Sequence, residues 1–421
     1  MKNTNLFTLL TKFLVIILPF YVIIKIFFEV KLGVPFFGFF IKELVVVVLF
    51  FCLTFQYFKA KKIPKFELLD YLIFGYFAYG IIITLVNGLS FEYIFYGGRY
   101  DFIFLVVFLV YRHGREFLQT SFSHLIKLFL ASASTSLIIG LLVKFITGEE
   151  ILKYFGYSIY VADWQFKGGI PIYHGVEASG IRRFQGLLDS PNAMGFFLLI
   201  YAGAFMYYFR KKIEYHIVLV FIGIFILILI TYSRSALLGF FVATGGLIAL
   251  NFKYIFKKYK KETIATLLFL FIFSGFFYLL FQDKIHNIFI RTGSTTSHFD
   301  RMEIGIEKFL EQPFGYGLAT SGPGFRSVYD GEITKEIEHD FIPESWFVQQ
   351  LVEGGFIYFT LFILIFTIIL LQTYKKSKPI FGSLIAIIIM NVLLHTFEAT
   401  YLSILFFIFL GLLNSTYSLK K

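Results

Sequence analysis

Apolar residues in this chain come in long unbroken runs. They lie near 6–28, 38–58, 69–87, 100–111, 124–146, 192–209, 215–231, 235–252, 263–281, 346–371, 379–396 and 400–416. Most are about 17–25 residues long and none alternates with the two-residue period of a barrel strand, so each reads as a helix that can cross a hydrocarbon core. In lipid every backbone N–H and C=O needs an internal partner, and a helix supplies those partners along its own length. The pattern predicts an all-α polytopic membrane protein of about twelve transmembrane helices, forming one integral membrane domain over residues 1–421. The first run is too long for the core of a signal peptide and no small-residue cleavage site follows it, so it is expected to stay as an anchor span.

The polar positions between the runs orient the chain. Lys59, Lys61, Lys62 and Lys65 follow the second run, Arg112 and Arg115 the fourth, and Arg210, Lys211 and Lys212 the sixth. Lys253, Lys257, Lys258, Lys260 and Lys261 follow the eighth, Lys375, Lys376 and Lys378 the tenth, and Lys420 and Lys421 close the chain. Every cluster follows an even-numbered run, so with both termini cytoplasmic all of them fall inside, as the positive-inside rule requires. Two long connections, residues 147–191 and 282–345, then face outward. Connections of this length are uncommon in compact proteins and usually functional. In the second, His298–Leu310 mixes Met302, Ile304, Ile306, Phe309 and Leu310 with Glu303, Glu307 and Lys308, and Pro313 and Gly315 stop the pattern. This predicts a helix within a small ordered cap on the membrane surface.

Composition sharpens the class. Of 421 residues, 58% are hydrophobic and 15% charged, with 60 Phe and 27 Tyr and a mean hydropathy of +0.77. A soluble domain is about a quarter charged, so lipid has to be the solvent for much of this surface. The net charge of +11 does not point to nucleic acid, because the surplus sits in the short clusters just described. Cys52 is the one cysteine, so no internal disulfide can form.

Four segments carry candidate chemistry. Arg182-Arg183-Phe184-Gln185-Gly186 and Asp189-Ser190-Pro191-Asn192 bring two arginines to the mouth of the sixth span, with Ser190 as a helix cap and Pro191 at the first helical position. Headgroup contact by snorkelling arginines is the plainer use of the same residues. Thr231-Tyr232-Ser233-Arg234-Ser235 is a tight outer turn whose Arg234 opposes both the positive-inside rule and the helix dipole. Such a residue needs a partner, either an ion pair or an anion such as a diphosphate. Ser297-His298-Phe299-Asp300-Arg301 opens the loop helix, and Gln312-Pro313-Phe314-Gly315-Tyr316-Gly317 follows it. Glu338-His339-Asp340 and Glu344-Ser345-Trp346 precede the tenth span, with Glu353-Gly354-Gly355 inside it. Glu344 is placed to cap that helix or to act as a base, His339 titrates near neutrality, and Glu353 must face the protein interior or a water-filled cavity. No zinc-type cluster, phosphate-cradling Gly loop or nucleophile elbow is present, so neither a metal nor a cofactor is expected.

Together these segments resemble the bacterial O-antigen polymerase and O-antigen ligase family of membrane glycosyltransferases. Arg183 to Gly186 with Pro191 and Asn192 matches the family's Arg-x-x-Gly and Pro-Asn, and Ser233-Arg234 matches its outer-turn Ser-Arg. Arg301, Pro313 and Gly315-Tyr316-Gly317 are similar to its loop helix and Pro-x-x-Gly-x-Gly, one residue shorter. Ser345, nine residues and Gly355-Phe356-Ile357-Tyr358 keep the spacing of the ligase motif, whose first position is His where this chain has Glu344. That departure favours a polymerase over a ligase. The resemblance implies a GT-C-like fold in the bacterial inner membrane, with the active site facing the periplasm or cell exterior. It implies a glycan donor and acceptor on undecaprenyl diphosphate in the lipid bilayer, inverting metal-independent transfer, and a chain-length regulator as a further partner. Arg183, Arg234, Arg301 and Arg182 are then the expected diphosphate ligands, and Glu344 or His339 the base. A ligase and a lipid-linked oligosaccharide flippase stay open beside the polymerase. The charges within spans (Lys25, Lys42, Lys127, Lys144, Glu353) are few and mostly near span ends, which ranks the flippase last.

Overall fold

The computed structural model describes residues 5–158, 170–172, 174–175, 181–210, 215–258, 292–328 and 342–415. Among these the chain is all-helical, with no strand and two isolated bridges, Ser158 with Pro171 and Gly175 with Arg182. The helices are α1 (Leu6–Lys31), α2 (Pro35–Lys59), α3 (Leu68–Val86), α4 (Phe91–Phe117), α5 (Phe122–Thr147), α6 (Pro191–Phe209) and α7 (Tyr215–Thr231). They continue with α8 (Arg234–Lys258), α9 (Thr292–Glu311), α10 (Gly322–Val328), α11 (Trp346–Lys376), α12 (Lys378–Leu393) and α13 (Thr400–Leu413). Seven are long and apolar enough to span a membrane, and four shorter apolar helices fall on the seventh, eighth, eleventh and twelfth runs. The ninth run lies outside the described residues. This is a multi-pass membrane protein.

The fourth span differs from the sequence reading. It begins at Phe91, well before residue 100, and takes Arg99 and Asp101 inside through a π-helical turn at Gly98–Phe102. Charges read as a boundary are tolerated because they are paired. Arg99 Nε lies 2.9 Å from Glu43 Oε1, and Lys42 Nζ 2.6 Å from the same carboxylate. Gln350 Nε2 donates to Asp101 Oδ1 at 3.2 Å. At the other end of α4, Arg112 is buried against Asp70 (3.0 Å), Glu67 and the Asn414 carbonyl. It locks α3, α4 and the end of α13 together.

α13 is the axis of the bundle, buried from Thr400 to Leu412. A helix that is apolar all round has to be covered on every side, and α4, α6 and α11 are among the helices against it. α12 packs along α6, α8 and α11, so the starts of α6, α8 and α11 and the end of α12 meet at the face opposite Arg210, Lys375, Lys376 and Lys378, which stand at the other ends of these helices. The site forms there.

The segment after α9 is fixed to α11 by backbone. Tyr316 N–H and Gly317 N–H donate to the carbonyls of Val352 (3.0 Å) and Glu353 (2.8 Å), and Phe356 N–H donates to Pro313 (3.0 Å). α11 breaks at Gly355, whose φ is +66°. A Cβ there would stand 2.2 Å from the Pro313 carbonyl oxygen, and one on Gly315 (φ +95°) 2.5 Å from that of Glu353. Only glycine admits both the left-handed backbone and this approach, which is the physical reason for two of the motif glycines.

Candidate active site

Arg183 is held by two helix ends. Its Nε donates to the Thr231 carbonyl at 2.9 Å and its Nη2 to Asn192 Oδ1 at 3.0 Å. Thr231 is the last residue of α7, so the guanidinium covers a carbonyl left without an intrahelical partner. Asn192 lies in the first turn of α6, which Pro191 opens and Ser190 caps by accepting from Ala193 N–H at 3.1 Å. The backbone around Arg183 is fixed too: its own N–H donates to His174 (2.8 Å) and that of Phe184 to Ile230 (2.9 Å). Tyr232 takes φ +52°, which turns the chain sharply from α7 into α8 and sets Arg234 at the first position of α8.

Arg183, Asn192, Tyr232, Arg234 and Ser235 form one side of a cavity of about 270 Å³. His298, Phe299 and Met302 of α9 form the other, and Leu393 and Leu394 at the end of α12 complete it. Two of the expected arginines therefore share one cavity. Its combination of guanidinium groups, hydroxyl and apolar side chains suits an anion joined to an apolar body.

His298 leads from this cavity to a carboxylate. Its Nδ1 lies 3.3 Å from Glu344 Oε2, Arg301 Nη1 3.4 Å from Glu344 Oε1, and His395 Nδ1 3.8 Å from Glu344 Oε2. Glu344 is not the cap of α11. Ser345 is, accepting from Val348 N–H at 3.4 Å. Glu344 stands one residue earlier with φ +52°, a strained backbone of the kind that costs about 1–3 kcal/mol and gathers at functional sites. Burial by itself pushes this carboxyl up, but the His298 hydrogen bond and the neighbouring His395, His298 and Arg301 outweigh it and hold the group below the usual carboxylate range. It is an anion at neutral pH.

Behind Glu344 lies a layer of buried polar groups. His395 Nε2 faces Glu398 Oε2 at 3.4 Å, and Ser321 Oγ donates to Glu353 Oε1 at 3.2 Å. Tyr76 O–H donates to Gln350 and stacks on Tyr358 with ring centroids 4.0 Å apart. Glu353 faces the protein interior, as expected for an acid within a span. Among the described residues no group of three His, Cys, Asp or Glu side chains is arranged as a metal site.

The O-antigen ligase family model matches residues 217–363. This O-antigen ligase-family region covers about a third of the chain and carries Arg234, His298, Arg301 and Glu344. Over it the resemblance to O-antigen polymerases and ligases is borne out, and the region is of that type. Arg183, His395 and Glu398 lie outside the matched residues and join the ligase-family region only in space. No curated protein matches the chain.

The other expected residues fall as follows. Arg301 stands on Glu344 and is not among the residues lining the arginine cavity. Arg182 turns away: its Nη1 lies 3.7 Å from Glu149 Oε2, and its carbonyl accepts from Lys144 Nζ at 3.2 Å. His339 lies outside the described residues. Sequence reasoning gave His298 no role and passed over His395 and Glu398. The signal for the last two was their i, i+3 spacing in the very short turn between the eleventh and twelfth runs, a place where two ionisable residues have no topological use.

Proposed function

We propose that the chain is an oligosaccharide repeat-unit polymerase that joins glycans carried on undecaprenyl diphosphate. The observation that carries this reading is one continuous arrangement: Arg183 and Arg234 in a single cavity with His298, whose ring reaches the Glu344 carboxylate. The two ends suit the two halves of a glycosyl transfer. A hydroxyl of the acceptor sugar attacks the anomeric carbon of the donor from the face opposite the diphosphate, and its proton passes to Glu344. The bond from the anomeric carbon to the diphosphate oxygen breaks with inversion, and undecaprenyl diphosphate leaves as an anion. Arg183, already held by the ends of α6 and α7, and Arg234 stabilise the charge that develops on it. Arg301 keeps Glu344 ionised until it takes the proton. The leaving lipid fits a site at helix ends opposite the basic clusters, hence the outer face of the bacterial inner membrane by the positive-inside rule.

Glu344 at the position where the ligase motif has histidine favours a polymerase over a ligase. The test is incubation of the purified protein in liposomes with undecaprenyl-diphosphate-linked repeat units alone, with products separated by size. A ladder that disappears in Arg234→Ala, with the variant still present in the membrane, is the expected result. Transfer that begins only when a lipid-core acceptor is added would make the protein a ligase. No transfer under either condition would turn the reading to transport.

A further inference from the structure

The reaction proposed above leaves the pair His395 and Glu398 unused, although it touches the proposed base. His395 precedes and Glu398 ends a 3-10 turn, Thr396–Glu398, between α12 and α13. That turn is held rigidly. Phe397 N–H donates to Asn391 Oδ1 at 3.0 Å, Ser403 Oγ donates to the Phe397 carbonyl at 2.7 Å, and Asn391 is itself anchored to Ile387 at 2.8 Å. The Phe397 ring is fully buried, stacked on Phe104 and edge-on to Trp346, the first residue of α11. The imidazole is thus set between two carboxyl groups on rigid backbone, 3.8 Å from Glu344 and 3.4 Å from Glu398.

An imidazole between two carboxyl groups has few stable arrangements. Were both carboxyls ionised, His395 would have to be an imidazolium. Burial disfavours that form first, and Arg326, His298 and Arg301 oppose it against the pull of Glu344, so the ring is pushed toward neutrality. A neutral ring has one N–H and one acceptor nitrogen. Glu398 is surrounded differently from Glu344. Burial and the neighbouring Asp101 push its carboxyl well above the usual range, Glu344 adds to this, and Gln349 and Arg326 only partly offset it. A buried carboxylic acid that keeps its proton is a hydrogen-bond donor.

Resting on the polymerase reading, we propose that His395 and Glu398 are positioning residues for Glu344. Glu398 donates its carboxyl proton toward Nε2 of His395, which leaves the N–H on Nδ1 and turns it toward Glu344 Oε2. That N–H fixes the carboxylate in the ionised, aligned form that receives the acceptor proton. The direction of a hydrogen bond behind a reacting group sets its tautomer in the same way in other acid–base sites. At 3.8 Å the Nδ1 contact is longer than a hydrogen bond, so the proposal requires that it tighten in the substrate complex, as catalytic hydrogen bonds commonly do.

The test is a double-mutant cycle on the full-length protein in liposomes with lipid-linked repeat units, reading kcat, KM and the pH dependence of kcat/KM. Glu398→Ala is expected to lower kcat about tenfold with little change in KM, and Glu398→Gln, which still donates, to restore most of that loss. His395→Asn keeps an N–H near the position of Nδ1 and severs the link, so Glu398→Ala should cost nothing further in that background. His395→Ala should shift the acidic limb of kcat/KM to higher pH, because Glu344 loses a group that favours its ionised form. Equal losses for Glu398→Ala in both backgrounds, or Glu398→Gln as inactive as Glu398→Ala, would overturn the proposal. Glu344→Gln separates this from failure of the underlying reading. If Glu344→Gln is fully active, Glu344 is not the base and the polymerase mechanism falls. If it is inactive while the cycle shows no coupling, the relay alone falls.

Discussion

The two sides of the site are built on opposite plans. Arg183 is oriented by backbone and amide groups at two helix ends, the Thr231 carbonyl and the Asn192 side-chain oxygen. On the other side Glu344 is met by His298, Arg301 and His395, with the Arg301 guanidinium balancing its charge and two imidazoles beside it. Under the proposed function, a surface that attracts an anion holds its guanidinium groups in an oriented frame. A surface that must move one proton balances charge and leaves a single group poised.

The largest expected effect breaks the second side alone. Glu344→Gln should lower kcat by about 10²–10⁴-fold, the usual range for a general base, while binding of the lipid-linked donor stays within a few-fold. A matching loss of donor affinity would erase the distinction between the two sides. In the wild-type protein Glu344 sits below the ordinary carboxylate range. It therefore stays ionised as pH falls through the usual Glu value, and the acidic limb of kcat/KM should lie below that value.

Next in size is Gly355→Ala. It forces a positive φ on alanine and drives a Cβ to 2.2 Å from the Pro313 carbonyl oxygen. The strain alone costs about 1–3 kcal/mol, so thermal unfolding in detergent should move to lower temperature, with kcat falling more than donor affinity, since Glu344 lies just before the start of α11. Arg183→Lys follows, because a point charge cannot hold both the Thr231 and Asn192 contacts. Donor binding measured by titration should weaken about tenfold, roughly the 1.4 kcal/mol of one charge-assisted bond. Arg182→Ala is the smallest. With its side chain half exposed and facing Glu149, it should change kcat/KM by less than about threefold, the scale of a surface ion pair.

How much of this was legible depends on whether the signal is local. A run of apolar residues carries its own evidence, and eleven such runs recur as helices. The start of the fourth span was misplaced because Arg99 and Asp101 look like a membrane boundary until Glu43 and Gln350, far away in sequence, are seen to pair with them. The same division runs through the site. Arg183 and Arg234 stand at helix termini against the charge trends, which one sequence displays. His395 and Glu398 look like polar residues of a short turn, and only the packing of α12 against α11 gives them a neighbour. Arg301 was assigned by motif to the diphosphate, but the rotation of α9 sets it on Glu344, and helix rotation is not written in a motif of six residues.

The backbone seam between residues 313–317 and α11 has a consequence for biosynthesis. The donors at Tyr316 and Gly317 leave the ribosome before Val352 and Glu353, their acceptors; Glu344 emerges between them, and His395 and Glu398 come later still. A nascent chain holding Arg183, Arg234 and His298 has the anion cavity only in outline. The proton-handling side closes after the last two spans enter the membrane. A chain stopped before the turn between α12 and α13 lacks His395 and Glu398, so the surroundings of Glu344 are completed only by the last part of the chain to be made.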